Sequence, residues 1–597
     1  MLIERLRRAL RTPRRRFVAA GIVLVVVLAG AGLRLATVAA DAAGHLQRAA
    51  ALVGDLERQV RGGDLAAARA TAADLRRHAA AARADTHGPS WWLGRNLPLA
   101  GDDLTAVAAV ADAVDALAAK VLPPLLDAAD GMSGAMRHGS AGTEADLKAV
   151  RAAAPRIAEG AAAARAAQRR LTGLDRDGLE PRVRAALKRV TDGLDRVVPL
   201  LDPAARAARL LPALLGAGGP RTYLVLFQNL AEVRATGGMP GAFAVLQADH
   251  GRISLIEQGT AAKTLRQFDS PVLPLDPDQE DLFTERLGTY PANVNLTPDF
   301  PTAAVLIREM YRQRSGRTVD GVLATDPVAL AYLLAATGPV PLPTGGQLTA
   351  ATAVRQLLSE VYLTIAAEPD QDAYFAGAAK AVLDRLMAGV PVSEDLASAL
   401  SRAASERRLL AWSAHPDEQA EIAGTVFAGT LPADDGAQPT VGVFLNDGTG
   451  AKLDYYLSRS ATLETGRCLE GGMRPLRLSV TLASNAPKTG LPRGVLGLGL
   501  AGDYTMRTNV LVYAPTGGSP VAARQDGAPV DFGTGLEKDR EVAVFTVDLA
   551  PGAQSTIVVD LVTAAMPAQD TVEPRLITTP GVTPWTTRLS PGPACQK

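Results

Sequence analysis

Residues 221–260 read RTYLVLFQNLAEVRATGGMPGAFAVLQADHGRISLIEQGT, and this stretch decides the fold at the centre of the chain. Residues 223–227 have the apolar pattern of a buried strand, and two further apolar runs, 243–246 and 253–256, are joined by the turn Asp249-His250-Gly251. Between strand and hairpin lies a polar corner that contains Gln228, Asn229, Glu232, Arg234, Thr236, Gly237 and Gly238. An arginine beside two glycines at a sheet edge is a common setting for a ligand site. The stretch therefore predicts a sheet with a candidate site at this corner.

The pattern of an α/β domain continues to about residue 430. Residues 319–324 predict a strand, and Thr325-Asp326-Pro327 begins a helix that ends near Gly338, which together make a strand–turn–helix unit. Helices are predicted at about 349–365, 370–388 and 392–404, followed by a strand at 408–413 and a short helix at 416–422. We assign residues 219–430 to a central α/β domain.

The segments on either side have different patterns. Residues 41–218 are rich in alanine and have helical periodicity, which predicts an extracytoplasmic helical bundle or stalk. Short β-rich runs separated by turn residues fill residues 431–566 and predict a β-sandwich, with runs at 441–445, 453–457, 476–482, 508–513, 542–547 and 555–561. Residues 567–597 have the composition of an extended tail. The predicted fold class is multidomain α+β.

Two local patterns in the helical region make specific predictions. Leu46, Val53 and Val60 recur every seven residues with Ala49 and Leu56 between them, and these positions together predict a heptad seam, which Gly62-Gly63 ends before Asp64 caps the next helix. The pair Trp91-Trp92 is most simply a wedge between helices. A membrane-interface anchor and a carbohydrate platform are the alternatives for this pair.

The N-terminus has the pattern of a membrane anchor. Residues 17–33 form an uninterrupted apolar run that continues past Arg34 to residue 40, close to the ~20 residues that span a bilayer. Seven arginines precede the run within residues 1–16. This asymmetry predicts a basic cytoplasmic tail at 1–16, a single-pass transmembrane helix at 17–40 and the rest of the chain outside the cytoplasm. A cleaved signal peptide is the alternative, but its apolar core is usually only about 7–15 residues long.

The composition and the motif content of the chain limit which classes of function it can have. The chain has 597 residues, and its 62 lysines and arginines equal its 62 aspartates and glutamates, so no net charge attracts it to nucleic acid. Its two cysteines, Cys468 and Cys595, form either a disulfide or two buried thiols. The six histidines lack metal-ligand spacing, and no P-loop, GxSxG or CxxC motif is present. We predict neither a metal nor a cofactor.

The candidate ligand site combines the polar corner with a second polar segment. In that segment two asparagines precede a helix that Thr297 or Asp299 caps, and the N-terminus of a helix favours anions. The predicted ligand-binding residues are Asn229, Glu232, Arg234, Thr236, Gly237, Gly238, Asn293, Asn295 and Asp299. Arginine presents a planar fork that suits phosphate or carboxylate. The alternative is purely structural: Glu232 and Arg234 pair internally beside glycines with special dihedral angles.

Four segments resemble a bacterial family of unknown function, numbered four thousand and twelve. They are YLVLFQNLAEVRATGGMPGAF, NVNLTPDFP, VDGVLATDPVALAYLLAATGPV and AKLDYYL, and the resemblance extends over about residues 50–565. The resemblance implies this architecture without implying an activity.

The order of elements also resembles the LytR-CpsA-Psr family, whose members transfer glycopolymers from polyprenyl-pyrophosphate carriers to peptidoglycan. Arg234 then falls at the first arginine of that family's site, Asn295 at its asparagine and residues 334–340 at its closing unit. Two positions depart from the family. Thr236 stands where a metal-binding aspartate is expected, and Glu257-Gln258-Gly259 replaces Pro-Arg-Asp.

These observations predict a membrane-anchored protein of the cell envelope that binds or organises a cell-wall or lipid-linked glycan without catalysis. One alternative is a divergent glycopolymer transferase acting on polyprenyl-pyrophosphate-linked substrates, in which Arg234 holds pyrophosphate and Glu232 or Asp299 serves as metal ligand or base. The other is a protein-binding scaffold or sensor. The expected partners are the membrane, a glycan or polyprenyl-linked carrier, and other proteins.

Overall fold

The computed structural model describes residues 13–98, 100–137, 144–387, 394–436, 438–566 and 571–593. It divides into two compact units, Met1–Ala217 and Gly218–Lys597. The first unit is helical and the second is a mixture of helices and sheets whose C-terminal part is rich in strands, so the predicted α+β class is confirmed. Residues 1–12 of the predicted basic tail, and residues 567–570 and 594–597 of the predicted C-terminal tail, lie outside the described residues.

The first unit consists of helices joined by short connections. They are α1 (Pro13–Arg61), α2 (Leu65–Thr86), α3 (Pro89–Gly94), α4 (Gly101–Ala116), a π-helical turn (Leu117–Val121), α5 (Leu122–Arg137), α6 (Glu144–Thr172) and α7 (Pro181–Leu214). Alanine and leucine from α4, α6 and α7 form the main core of this unit. As predicted, α1 ends before the glycine pair, and the Asp64 side chain caps α2 by accepting a hydrogen bond from Ala67 N at 3.0 Å. In the part of the chain that the structure describes, no helix combines the length and apolarity needed to cross a membrane.

The predicted seam of α1 is confirmed in part. Ala49 and Leu56 are buried and Leu46 is partly buried, whereas Val53 and Val60 are exposed. Ala42 is buried in addition. Ala42, Ala49 and Leu56 recur every seven residues, as do Leu46, Val53 and Val60, so periodicity alone does not show which of the two rows packs against the other helices.

The second unit begins with a mixed sheet of five strands in the order β3-β2-β1-β4-β7. Its strands are β1 (Arg221–Arg234), β2 (Gly237–Asp249), β3 (Arg252–Thr260), β4 (Gly321–Thr325) and β7 (Leu410–Ser413). Strands β1 and β4 are parallel, and the other neighbouring pairs are antiparallel. His250 and Gly251 adopt positive φ between β2 and β3, which confirms the predicted turn. The predicted strand–turn–helix unit is also present, since β4 leads through Asp326 into a helix that ends before Gly338.

Helices and short segments surround this sheet. They are a π-helical turn (Ala261–Leu265), α8 (Pro277–Phe283), α9 (Arg286–Thr289), a 3₁₀ helix (Pro291–Leu296), α10 (Phe300–Ser315), α11 (Pro327–Thr337), β5 (Val340–Pro341), β6 (Gln347–Leu348), α12 (Ala353–Arg355), a π-helical turn (Gln356–Glu360), α13 (Val361–Thr364), α14 (Glu368–Met387), α15 (Glu394–Ser405), α16 (Pro416–Ala423) and a 3₁₀ helix (Val426–Ala428). Helix α10 covers one face of the sheet: its apolar residues join those of β1, β2 and β4 in one core.

The C-terminal part is built from two larger sheets. One has the order β13-β12-β16-β10-β9-β19 and the other β14-β15-β11-β8-β18. Their strands are β8 (Thr440–Asp447), β9 (Leu457–Thr465), β10 (Pro475–Ser484), β11 (Met506–Tyr513), β12 (Ser519–Gln525), β13 (Ala528–Pro529), β14 (Gly533–Glu537), β15 (Arg540–Leu549), β16 (Gln554–Val562), β18 (Arg575–Thr578) and β19 (Thr586–Ser590). This part also contains the short helix α17 (Arg493–Leu496) and a small ladder of β17 (Thr571–Val572) with β20 (Gly592–Pro593). Both sheets contribute side chains to a common core.

Strand β8 joins this β-rich part to the central sheet. Val443 and Leu445 belong to the core between the two larger sheets, whereas Phe444 belongs to the core of the central sheet. Alternate residues of one strand thus enter different cores, which explains why β8 is buried at every position before Asp447. The predicted boundary at residues 430–431 therefore falls inside one compact unit.

Two predictions in this part have definite outcomes. The strand predicted at 453–457 is wrong: Leu453–Tyr456 is a 3₁₀ helix, and β9 begins only at Leu457. The buried carboxylate of Asp454 accepts a hydrogen bond from Val233 N at 2.9 Å, a contact that the apolar pattern does not reveal. Cys468 is disulfide-bonded, and Cys595 lies outside the described residues.

Candidate functional site

The predicted polar corner is built into two paired strands and is not an open loop. Strand β1 continues to Arg234, with an irregularity between Asn229 and Val233, and β2 begins at Gly237. The glycines are required by close packing. A Cβ atom on Gly238 would lie 2.3 Å from the backbone oxygen of Asn229, and Gly237 has φ of 143°.

Arg234 is buried and paired within the protein. Its residue is 5% exposed, and its guanidinium donates to Glu232 Oε1 at 2.9 Å, to Val233 O at 2.9 Å and to Asn293 Oδ1 at 3.5 Å. Asp447 Oδ2 lies 3.9 Å from the same guanidinium, and the Glu232 and Asp447 side chains are also buried. This is the internal Glu232–Arg234 pair of the structural alternative, and it removes the main support for Arg234 as a ligand-binding residue.

Two aspartates absent from the predicted site complete this buried cluster. Asp447 accepts hydrogen bonds from Thr449 N at 3.1 Å and Gly450 N at 2.5 Å. Burial raises the pKa of Asp447 to about 6, against the lowering effect of Arg234. Burial also raises the pKa of Asp454 well above its usual range, and the neighbouring charge of Asp447 raises it further. Polar residues that end an apolar run (Asn446-Asp447) and the AKLDYYL segment were the available signals for these positions.

The raised pKa of Asp447 predicts a pH-dependent stability. A carboxyl with a higher pKa in the folded chain binds its proton more tightly there, so its contribution is complete below the unfolded pKa of about 3.9 and is lost as the pH rises through about 6. We expect the wild type to lose on the order of 3 kcal/mol relative to Asp447→Asn between about pH 4 and pH 7. Urea unfolding of both proteins across this range measures the difference. Parallel stability profiles would contradict the assignment.

The second polar segment also has internal partners. Asn295 is fully buried and donates from Nδ2 to Gly238 O at 3.0 Å, while its backbone oxygen accepts from Thr236 N at 3.4 Å. Asp299 caps α10 by accepting from Thr302 N at 3.2 Å and from the Thr302 hydroxyl at 2.6 Å. The carboxylate of Asp299 thus already occupies the end of the helix where an anion was expected to bind.

The nine predicted residues therefore do not line one open cleft. Glu232, Arg234 and Asn293 form the buried pair and its neighbour, whereas Thr236, Gly238 and Asn295 hold the start of β2 against the 3₁₀ helix. Gly237 packs beside the Gln228 side chain, and Asp299 caps α10. Only Asn229 faces the cavity described next.

An apolar cavity of about 660 Å³ lies between the central sheet and the helices over its second face. Strands β1, β2 and β3 form one wall, and α11, the segment 357–362 and α14 form the others. The alternation of β1 explains this placement: Leu224 and Leu226 enter the α10 core, so Val225 and Phe227 line the cavity. Small residues such as Ala244 and Ala379 in the walls leave the volume open.

The cavity has a polar group of three residues in its lining. Asn229 Nδ2 donates to the Tyr362 hydroxyl at 2.7 Å. Lys452 Nζ lies 5.1 Å from the centre of the Tyr362 ring and 3.9 Å from Glu232 Oε2. Burial raises the pKa of Tyr362, so its hydroxyl remains a donor at neutral pH. The lining also includes the charged residues Lys263, Asp326, Glu368 and Asp372, of which Lys263 and Asp372 pair with each other. A mainly apolar volume with polar groups in its lining is suited to a molecule that has an apolar chain and a polar head.

Residues 218–362 match the model of a family described as protein of unknown function (DUF4012). The match is narrower than the resemblance over residues 50–565. It includes β1 to β4, the helices α10 and α11, and Tyr362, and it excludes Asp447 and Lys452. No curated protein and no solved structure shows significant similarity to the chain.

Proposed function

We propose that this chain is a membrane-anchored protein of the cell envelope that binds the apolar chain of a lipid-linked molecule, such as a glycan carrier, without catalysing its conversion. The observation that carries the proposal is the cavity of about 660 Å³ with the group Asn229, Tyr362 and Lys452 in its lining. Burying an apolar chain stabilises a complex by about 25 cal/mol per Å² removed from water. Lys452 and the Tyr362 hydroxyl supply donors for an anionic or polar head.

Two independent features support the location. The run of seven arginines followed by the apolar residues 17–40 has the pattern of a single-pass anchor with a cytoplasmic N-terminus. The disulfide at Cys468 is typical of proteins in oxidising compartments outside the cytoplasm. A protein held at a membrane surface meets lipid-linked molecules directly, which agrees with an apolar cavity.

The geometry favours binding over catalysis. A transferase would use Arg234 to hold pyrophosphate and Glu232 or Asp299 as ligand or base. Arg234 and Glu232 are instead buried against each other, and Asp299 caps a helix. Because their charged groups already have partners inside the protein, Arg234, Glu232 and Asp299 have a structural role in the proposed binding protein.

Filling the cavity tests the proposal. Ala379 lines it from α14, so Ala379→Phe places a ring in the volume that the lipid chain requires. We expect the full-length, detergent-extracted protein to carry at least about tenfold less co-purifying lipid, equivalent to about 1.4 kcal/mol of lost affinity, as measured by mass spectrometry. Ala397→Phe is the matched control, because Ala397 is an exposed alanine on α15 outside the cavity lining.

A second variant separates loss of binding from loss of folding. Ala244→Leu enlarges a buried residue of β2 that lines the same cavity. Both cavity variants are expected to retain the circular dichroism spectrum of the wild type and to lose lipid. Equal lipid recovery from both variants, the control and the wild type would refute the proposed function.

A further inference from the structure

A cluster of exposed apolar side chains lies around α3 in the helical unit. Trp92 is 66% exposed, Leu93 is 60% exposed and Leu97 is 50% exposed. Three large apolar side chains within six residues are unusual for a surface in contact with water, and such patches mark interaction sites. We call Trp92, Leu93 and Leu97 the apolar foot of the bundle.

The foot is fixed to the bundle by its buried neighbour. Trp91 is fully buried and donates from Nε1 to Leu104 O at 3.0 Å, which confirms the predicted wedge for this residue. The backbone of the foot is also held, because Asn96 Nδ2 donates to Trp92 O at 3.0 Å. The two adjacent tryptophans thus differ completely in environment: one fills the bundle and the other points out of it.

The residues of α1 that pack against α3 show at what level the apolar foot lies, and this level indicates what it contacts. Trp91 packs with Ala42, Leu35 and Ala39 of α1 in one cluster. A Cβ atom on Gly94 would lie 2.8 Å from Leu35 Cδ2, so α3 contacts α1 at that residue. Leu35 and Ala39 lie near the end of the predicted membrane span 17–40 in the same helix, Ala42 lies just beyond it, and a helix rises only about 1.5 Å per residue. The foot therefore lies level with the end of the predicted span.

We propose that Trp92, Leu93 and Leu97 insert into the interfacial layer of the lipid bilayer and hold the membrane-proximal end of the bundle against it. This inference rests on the membrane anchor of the proposed function. Tryptophan is enriched at membrane interfaces because its ring is apolar while its indole N–H bonds to water and headgroups. Leu93 and Leu97 add apolar area beside it, and Arg34 places a positive charge at the same level, where anionic headgroups lie.

The alternative occupants of the foot are a protein or a carbohydrate, and depth measurement distinguishes them from lipid. Full-length protein is reconstituted into vesicles of phosphatidylethanolamine and phosphatidylglycerol whose acyl chains carry bromine, which quenches tryptophan fluorescence on contact. We expect Trp92→Phe to remove at least half of the quenching seen in the wild type. The matched control is Trp585→Phe, because Trp585 packs against the core of the second unit, and this variant is expected to keep that quenching.

A second variant tests the leucines while the reporter stays in place. Leu93→Asp combined with Leu97→Asp is expected to lower the quenching of Trp92 at least twofold, since two charges oppose insertion. An unchanged melting temperature shows that the wedge formed by Trp91 is intact. Bromine near the headgroup end of the chain is expected to quench more than bromine near the bilayer centre.

The outcomes also distinguish a failure of the apolar foot from a failure of the membrane anchor on which it rests. A protein that stays with vesicles through an alkaline wash, but whose quenching is the same with and without Trp92, would retain the anchor and overturn the apolar foot. A protein that the alkaline wash removes from the vesicles would overturn the anchor and the foot together.

Discussion

Replacing Arg234 by alanine is expected to lower the free energy of unfolding by about 3–5 kcal/mol, because it removes the positive partner of the buried Asp447 and leaves the buried Glu232 with only Lys452, at 3.9 Å. Arg234→Lys is expected to recover only a small part of this loss, since an ammonium group cannot reproduce the planar fork that meets Glu232, Val233 O and Asn293 together. Thermal unfolding of the full-length protein, followed by Trp412 and Trp585 in the second unit, measures both effects.

A double variant distinguishes the structural role from a ligand-binding role. Glu232→Gln combined with Arg234→Met removes both charges of the pair, so it is expected to be more stable than Arg234→Ala. If Arg234→Ala instead melted like the wild type and lost its co-purifying lipid, the guanidinium would contact ligand, and the assignment of an internal pair would be wrong.

Replacing Asp326 by alanine is expected to destabilise the protein by a similar amount, about 3–5 kcal/mol. One carboxylate oxygen of Asp326 accepts from Val328 N and Ala329 N, both at 2.8 Å, and the other accepts from Arg408 at 2.9 Å. The Asp326 and Arg408 side chains are both buried. The substitution therefore removes the cap of α11 and leaves Arg408 with one buried charge partner fewer.

Asp276→Ala is the matched control for this effect. Asp276 also caps a helix, α8, but it is exposed, and its side chain accepts from Asp278 N at 3.0 Å. Its loss is expected to cost about 0.5–2 kcal/mol, the usual range for a helix cap. Equal melting temperatures for Asp326→Ala and Asp276→Ala would show that the buried pair with Arg408 adds no stability beyond the cap.

Features that depend only on residues close together along the chain were predictable from the sequence. Asp64 caps its helix as predicted, and Asp299 is the one of the two candidates, Thr297 and Asp299, that caps α10. The helix predicted to begin at Thr325-Asp326-Pro327 does so, with Asp326 as its cap. A cap bonds to backbone groups two or three residues further along the chain, so it depends on local sequence. The turn at His250-Gly251 was equally predictable from local chemistry. The seam of α1 was predicted only in part, since packing against the other helices buries Ala49 and Leu56 of the predicted positions and leaves Val53 and Val60 exposed.

The residues of the candidate site, too, were predictable only in part. The sequence identified Asn229, Glu232 and Arg234 as polar residues of a corner that follows an apolar strand, and it offered an internal Glu232–Arg234 pair as the structural alternative. Tyr362 and Lys452, which meet Asn229 and Glu232 at the cavity, were missed. Tyr362 belongs to no recognisable motif, and Lys452 lies in the AKLDYYL segment, whose resemblance implied no binding role. Nothing in the local pattern of β1 shows which residues line a cavity on one face and which enter a core on the other.

The sequence by itself determined the helical and β-rich regions, the strand–turn–helix unit and the anchor-like N-terminus, because each depends on periodicity or composition over a short stretch. Only the tertiary structure decided that the polar corner is a buried ion pair. The Asp454 carboxylate that bonds to Val233 N is 221 residues away along the chain. Only the tertiary structure, too, decided where open space remains, because a cavity is a volume that side chains from β1, β2, β3, α11 and α14 together fail to fill.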